Sequence, residues 1–129
     1  MSYEKEIGRI GEQLVADWLK AKGNIIVKQN FRCDFGEIDI VAENPKTVIF
    51  VEVKTRKENS LTAPKDAVDF NKQRKIAATA KVFLKQAFLS DMNYRFDVAE
   101  VTYRVAEDET LKYSLNYIKD AFFVDLGKD

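Results

Sequence analysis

The alternation of apolar and polar residues divides the chain into seven elements. Residues 3–22 carry Ile7, Leu14, Val15 and Trp18 at helical spacing, and Lys22-Gly23 supplies a basic last turn and a stop, which predicts a first helix. Residues 24–32 (NIIVKQNFR) are rich in β-formers and predict a strand. Asp34-Phe35-Gly36 then turns the chain into a second strand at 37–43, and Asn44-Pro45-Lys46 turns it into a third at 47–55. The polar stretch 57–68 reads as a loop. Asp69 caps a predicted helix at 70–88, whose apolar side is Phe70, Ile76, Ala77, Ala80, Phe83, Leu84 and Ala87. Tyr94–Arg104 and Leu111–Tyr117 read as strands around the acidic turn AEDET, with a short turn in the tail. The order α-β-β-β-α-β-β predicts an α/β or α+β arrangement, a mixed sheet with helices packed against it.

The hairpin at 37–55 contains its own anomaly. A turn centred on Pro45-Lys46 pairs residues whose numbers sum to 91, which sets Asp39 opposite Glu52. One face is then Ile38, Ile40, Ile49, Val51 and Val53. The other is Asp39, Val41, Val48, Phe50, Glu52 and Lys54. Opposed like charges destabilise a sheet. A divalent cation would offset that cost, because Mg²⁺ takes one or two carboxylates and completes its shell with waters and phosphate oxygens. Lys54, on the same face, would then polarise a water or meet charge developing on a phosphate. The same spacing also fits a solvent-facing charge pair of little energetic weight. Glu12 borders the apolar face of the first helix, where Gly8 and Gly11 permit a close approach to the sheet. It is placed either to join the two acids or to pair with Arg9 one turn earlier.

Composition narrows the chemistry. A chain of 129 residues, 46% hydrophobic and 33% charged, is the size and balance of one ordinary globular domain, expected to span 1–129. With no histidine and a single cysteine, Ser-His-Asp and Cys-His catalysis, histidine metal ligation and a cysteine zinc site are excluded. Cys33 is either a buried inert thiol or a reactive one. The first twenty residues carry acids and no apolar signal core, and no apolar run approaches the roughly 20 residues needed to span a bilayer. A cytoplasmic location without membrane contact is expected. Lysine and arginine (21) balance aspartate and glutamate (21), so nucleic-acid binding would need a local basic patch.

Several strings resemble the YraN-like family of small bacterial proteins: G-R-x-G-E at Gly8–Glu12, N-F-R-C-x-F-G-E-I-D-I-V at Asn30–Val41 and F-V-E-V-K-T-R at Phe50–Arg56. Further matches are P-x-x-A-V at Pro64–Val68, K-Q-R-K at Lys72–Lys75 and R-F-D-V at Arg95–Val98, so the resemblance covers residues 8 to about 101. That family is similar to the restriction-endonuclease-like superfamily, which implies an αβββαβ core and a relationship to Holliday-junction resolvases. The superfamily's D…(D/E)-x-K signature falls on Asp39, Glu52 and Lys54, and its helix-one glutamate on Glu12. The resemblance implies that the three acids bind Mg²⁺ or Mn²⁺ and that Lys54 assists the attacking water. It also sets Gln73 at a position where many relatives carry a glutamine near the site; a solvated helix residue is the alternative. Where family members often place a glycine before the Pro64 equivalent, this chain reads S-L-T-A-P.

Lys72, Arg74 and Lys75 crowd the start of the second helix, where the helix dipole favours anions. A phosphate among those side chains would resolve the conflict, with Arg32, Lys54, Arg56 and Lys57 extending the patch; a solvated face balanced by Asp66 and Asp69 is the alternative. The residues assigned to nucleic acid are thus Arg32, Arg56, Lys72, Gln73, Arg74 and Lys75. The expectation is a metal-dependent phosphodiesterase acting on DNA, including structured or branched forms. Its rivals are a non-catalytic DNA-processing adaptor that keeps the fold, and a homodimeric interaction protein using Tyr113, Tyr117, Phe122 and Phe123 as an interface.

Overall fold

A computed structural model describes residues 2–60 and 68–127. Ser2 caps the first helix, α1 (Tyr3–Ala21), its hydroxyl accepting the Lys5 N–H at 3.1 Å. Three strands follow: β1 (Ile25–Cys33), β2 (Gly36–Glu43) and β3 (Thr47–Lys57). The Asn44 side chain holds the β2–β3 turn by accepting the Lys46 and Thr47 N–H groups. After the residues not described comes α2 (Phe70–Gln86), capped by Asp69 through a 2.8 Å bond to the Lys72 N–H. The chain ends in β4 (Asn93–Val105) and β5 (Leu111–Phe122). The predicted loop at 57–68 and its P-x-x-A-V string fall largely on residues 61–67, outside the described residues, as does Asp66.

The five strands form one mixed sheet in the order β1-β2-β3-β4-β5, with β3 and β4 parallel and the other pairs antiparallel. The helix α2 makes the crossover that a parallel pair requires. Two helices on opposite faces of a mixed sheet match the αβββαβ core. On the α1 face, Val15, Ala16 and Leu19 pack on Ile40, Ala42, Ile49, Val51, Ala99 and Val101. On the α2 face, Ile76, Ala77, Ala80, Phe83 and Leu84 pack on Phe31, Ile38, Val41, Val48, Phe50 and Phe96. Period-two alternation in the strands thus serves two cores at once, which is why these strands read as near-continuous apolar runs.

The predicted helix faces need adjustment. Ile7, Gly11, Val15, Ala16 and Leu19 are the buried residues of α1, while Leu14 lies at the rim, 39% exposed. A Cβ on Gly11 would stand 2.1 Å from Thr55 Oγ1, so α1 and β3 approach closely there; a Cβ on Gly8 would meet nothing within 4 Å beyond its own helix, so Gly8 plays no such part. Phe70 is 70% exposed rather than in the core, because it precedes the helix face that meets the sheet; the Arg74 guanidinium lies over its ring at 5.9 Å.

The last strand runs five residues beyond the predicted Tyr117, to Phe122. Most of the aromatics offered as a dimer interface turn inward: Tyr117 packs on Trp18, Phe122 stacks on Phe96 and Tyr113 lies against Tyr103. Phe123 alone of the four is left 73% exposed. The tail is pinned by Tyr94, whose hydroxyl donates to the Val124 carbonyl and accepts the Leu126 N–H.

Candidate functional site

The recorded β2–β3 pairs are Glu43–Val48, Ala42–Ile49, Val41–Phe50 and Ile40–Val51, all in the register whose numbers sum to 91. Past Ile40 and Val51 the two strands part. Residues 36–38 of β2 continue to pair with β1, and residues 52–57 of β3 continue to pair with β4. The sheet therefore forks, and Asp39 and Glu52 flank the fork. In place of a ladder partner, the Val53 N–H donates to Asp39 Oδ2 at 2.8 Å. The fork also corrects one expected face. Ile38 stays with Phe31, its β1 partner, in the α2-side core, whereas Ile40 packs on the α1 side.

Groups from four elements converge on the fork. Glu12 arrives from α1, and its carboxyl feels the charges of Glu37 and Glu52. The alternative pairing with Arg9 does not occur, because Arg9 is bonded to Glu6. Asn30 sits in β1 with a left-handed φ of 55°, a conformation asparagine tolerates better than most residues. With its amide nitrogen turned to the carboxylates, it donates to Glu37 Oε1 at 3.0 Å and Glu12 Oε1 at 3.2 Å. Lys54 follows Glu52 along β3. From the first turn of α2, Lys72 Nζ reaches Glu52 Oε1 at 2.7 Å.

The electrostatics are those of crowded acid. Burial, and next the charge of Glu52, push the Asp39 carboxyl up to about 7, against the Val53 hydrogen bond; Glu12 and Glu37 push the same way. Burial and the neighbouring Glu37 likewise raise Glu12. Lys54 is held below its ordinary value, first by burial and then by its contact with Lys72. For Lys72, burial works downward but is outweighed by the hydrogen bonds to Glu52 and Lys54 and the charges of Glu52 and Asp39, so its ammonium is stabilised.

The predicted site residues are thus partly assembled. Glu12, Asp39, Glu52 and Lys54 come together at the fork, with Arg56 near enough to bear on Lys54. Lys72, expected on a phosphate-binding surface, instead turns inward onto Glu52, the acid that compensates its position at a helix N-terminus. Arg32 stands at the rim, its Nε 3.0 Å from Glu37 Oε2. Gln73 turns away and donates to the Val68 carbonyl at 3.2 Å. Arg74 covers Phe70, and Lys75 is exposed beside the Gly36 turn. Cys33 is half-buried, its sulfur accepting the Phe35 N–H at 3.4 Å.

Asn30 and Glu37 were not singled out from sequence. The signal for Glu37 was present, since it shares the alternation parity of Asp39. For Asn30 the only cue was its place at the head of the N-F-R-C string.

All donors at the fork are oxygens, and the raised Asp39 carboxyl marks an excess of negative charge that a hard divalent cation would relieve. The residues fit such an ion in chemistry. Among the described residues, however, no three acidic, histidine or cysteine side chains already converge as a ligand group.

A mixed sheet forked between two acid-bearing strands, with helices on both faces, defines an α/β domain of the αβββαβ kind. Comparison with known proteins supplies the family. The model of the uncharacterised protein family UPF0102 matches residues 11–101, and the chain belongs to that family, as its YraN-like strings implied. It is 42% identical over 119 residues to a UPF0102 protein of Clostridium botulinum (strain 657 / Type Ba4), covering 92% of this chain and 94% of that one. It is 43% identical over 122 residues to a UPF0102 protein of Clostridium perfringens (strain ATCC 13124), covering 95% and 98%. Among the described residues, no helix is long and apolar enough to cross a membrane.

Proposed function

We propose that the chain is a metal-dependent phosphodiesterase acting on DNA, structured or branched forms included. The observation that carries the reading is the fork. It sets Asp39 and Glu52 side by side without a backbone ladder between them, and leaves Asp39 crowded enough to be pushed up to about 7. A fold gains nothing in stability from such an arrangement, and perturbed acids of this kind gather where chemistry is done.

In this reading Asp39 and Glu52, with Glu12, hold Mg²⁺ or Mn²⁺. When bound, the ion supplies Lewis-acid stabilisation of the phosphate and a more acidic water. Asn30 orients Glu12. The Val53 N–H fixes the Asp39 carboxyl through Oδ2, which leaves Oδ1 as the oxygen to meet the ion. Lys54 stands beside them to orient the water or meet the charge growing on the phosphate. Arg32 and Arg56 flank the fork, where DNA backbone phosphates would run; no base-reading motif accompanies them, so recognition is by backbone and shape.

Two observations favour the adaptor reading. Lys72 already occupies Glu52, and among the described residues no three acidic side chains converge as a ready-made ligand group. The two readings separate when the protein is incubated with Mg²⁺ or Mn²⁺ and linear, flapped and four-way DNA. Metal-dependent cleavage that Asp39→Ala and Lys54→Ala each reduce at least about a hundredfold is expected. Cleavage undiminished in both variants would remove these residues from the chemistry. Binding without cleavage on every substrate would leave the adaptor.

A further inference from the structure

We infer that Lys72 is the site's resident counter-ion, seated on Glu52 where a divalent cation would bind, so that cation entry and release of the first turn of α2 are one event. The inference rests on the metal reading above and concerns how that site is kept and opened.

Four carboxyl groups, from Glu12, Glu37, Asp39 and Glu52, gather at the fork, and Glu52 is the most buried of them at 8% exposure. A buried carboxylate needs a partner. Lys54, two residues along the same strand, also bears on Glu52, yet the direct ion pair is made by Lys72 at 2.7 Å from another element. Lys72 reaches it from an unfavourable place. It lies in the first turn of α2, whose dipole repels a cation and whose cap, Asp69, is already committed to the backbone N–H of Lys72 itself. The seat is therefore conditional on the charge of Glu52. A dication taking that charge would remove what holds Lys72 in and would repel it as well. Lys72, its side chain 37% exposed, has solvent to move into, and the turn it stands on carries Gln73, Arg74 and Lys75. Metal occupancy would thereby turn Lys72 from a ligand of Glu52 into a cation free for a phosphate.

The test uses the whole chain and Mn²⁺ itself, titrated by the loss of the free-ion paramagnetic resonance signal. Removing a competing ammonium should make Lys72→Met bind Mn²⁺ roughly tenfold more tightly than the unaltered chain, with Lys72→Arg no tighter. A merely structural lysine would do the reverse, since its loss would loosen the site and weaken binding. In the unaltered chain, Mg²⁺ should also shift the backbone amide resonances of Lys72 and Gln73, and that shift should shrink in Lys72→Met. If Lys72→Met does not fold, Lys72→Gln replaces it in both measurements. Equal or weaker Mn²⁺ binding by the folded variant overturns the role of Lys72 while leaving the metal site intact. Absence of Mn²⁺ binding in both proteins removes the metal reading and this inference together.

Discussion

Asp97 and Asp39 are both acids set into apolar strands, and the fold treats them in opposite ways. Asp97 is 1% exposed, opposite Val51 in the parallel register, and fully provided for. Arg95 Nε donates to Oδ1 at 2.9 Å and Arg95 Nη2 to Oδ2 at 3.1 Å. The Tyr117 hydroxyl donates to Oδ2, and the Asp120 N–H to Oδ1 at 2.8 Å. That last bond ties down a register shift between β4 and β5, with Asp120 itself at a left-handed φ of 55°. Asp39 lies at the fork with one backbone N–H and three carboxylates for company, and the nearby ammonium of Lys72 is paired directly with Glu52 rather than with Asp39. Burial alone therefore does not distinguish the two acids. The balance of partners separates them: one cluster is neutralised and closed, whereas four carboxyl groups at the other face two lysines, Lys54 and Lys72.

The largest effect expected is on the closed cluster. Asp97→Asn should cost about 3–5 kcal/mol in urea-induced unfolding, because it leaves Arg95 mostly buried without its counter-charge. It should do so with or without Mg²⁺. A cost below about 1 kcal/mol would mean that the network is not what anchors the end of β5.

The open cluster should answer with the opposite sign. Asp39→Asn keeps an oxygen for the Val53 N–H and removes a repelled charge, so at pH 8 it should stabilise the metal-free chain by up to about 4 kcal/mol. The pH dependence follows from the raised carboxyl. Its folded value of about 7 exceeds an unfolded value of about 3.9, so between those limits the folded chain holds a proton that the unfolded chain has lost. The carboxyl's contribution is most favourable below about pH 4, declines as pH rises towards 7, and is level above. The gap between Asp39→Asn and the unaltered chain should therefore open from about pH 4 to 7, and Mg²⁺ should narrow it. A gap independent of pH would mean that Asp39 is not crowded in solution.

The two clusters were not equally legible. Alternation located all seven elements, and the Pro45-Lys46 turn set a register that holds from Glu43 to Ile40. The acids at the fork were legible because charge interrupts an apolar alternation there. The fork itself was not, since pairing that ends at Ile40–Val51 depends on β1 and β4 pulling the two strands apart. For the same reason strict alternation puts Ile38 on the α1 side, whereas it packs on the α2 side. The part played by Asp97 escaped because its partners, Tyr117 and Asp120, are twenty residues and more away and meet it only through a shifted register. For Lys72 the legible cues are its helix position and the K-Q-R-K string. Nothing local says that an acid from β3 lies within reach of it.

Glu37 offers the finest adjustment of the comparison. It lies at the rim of the fork, held by Asn30 and by an Arg32 that is itself 75% exposed. Such a pair contributes little, so Glu37→Gln should change stability by less than about 0.5 kcal/mol. Its charge nevertheless bears on both Glu12 and Asp39. Glu37→Gln should therefore lower the carboxyl titration midpoints of both, read by carbon-13 resonance of the side-chain carboxyls, without unfolding anything. A fall at Glu12 larger than at Asp39 is the expected pattern, because Glu37 and Glu12 share the Asn30 amide nitrogen and so lie close together. Unmoved midpoints would show that solvent and Arg32 screen Glu37 completely, and the excess charge at the fork would then belong to Glu12, Asp39 and Glu52 alone.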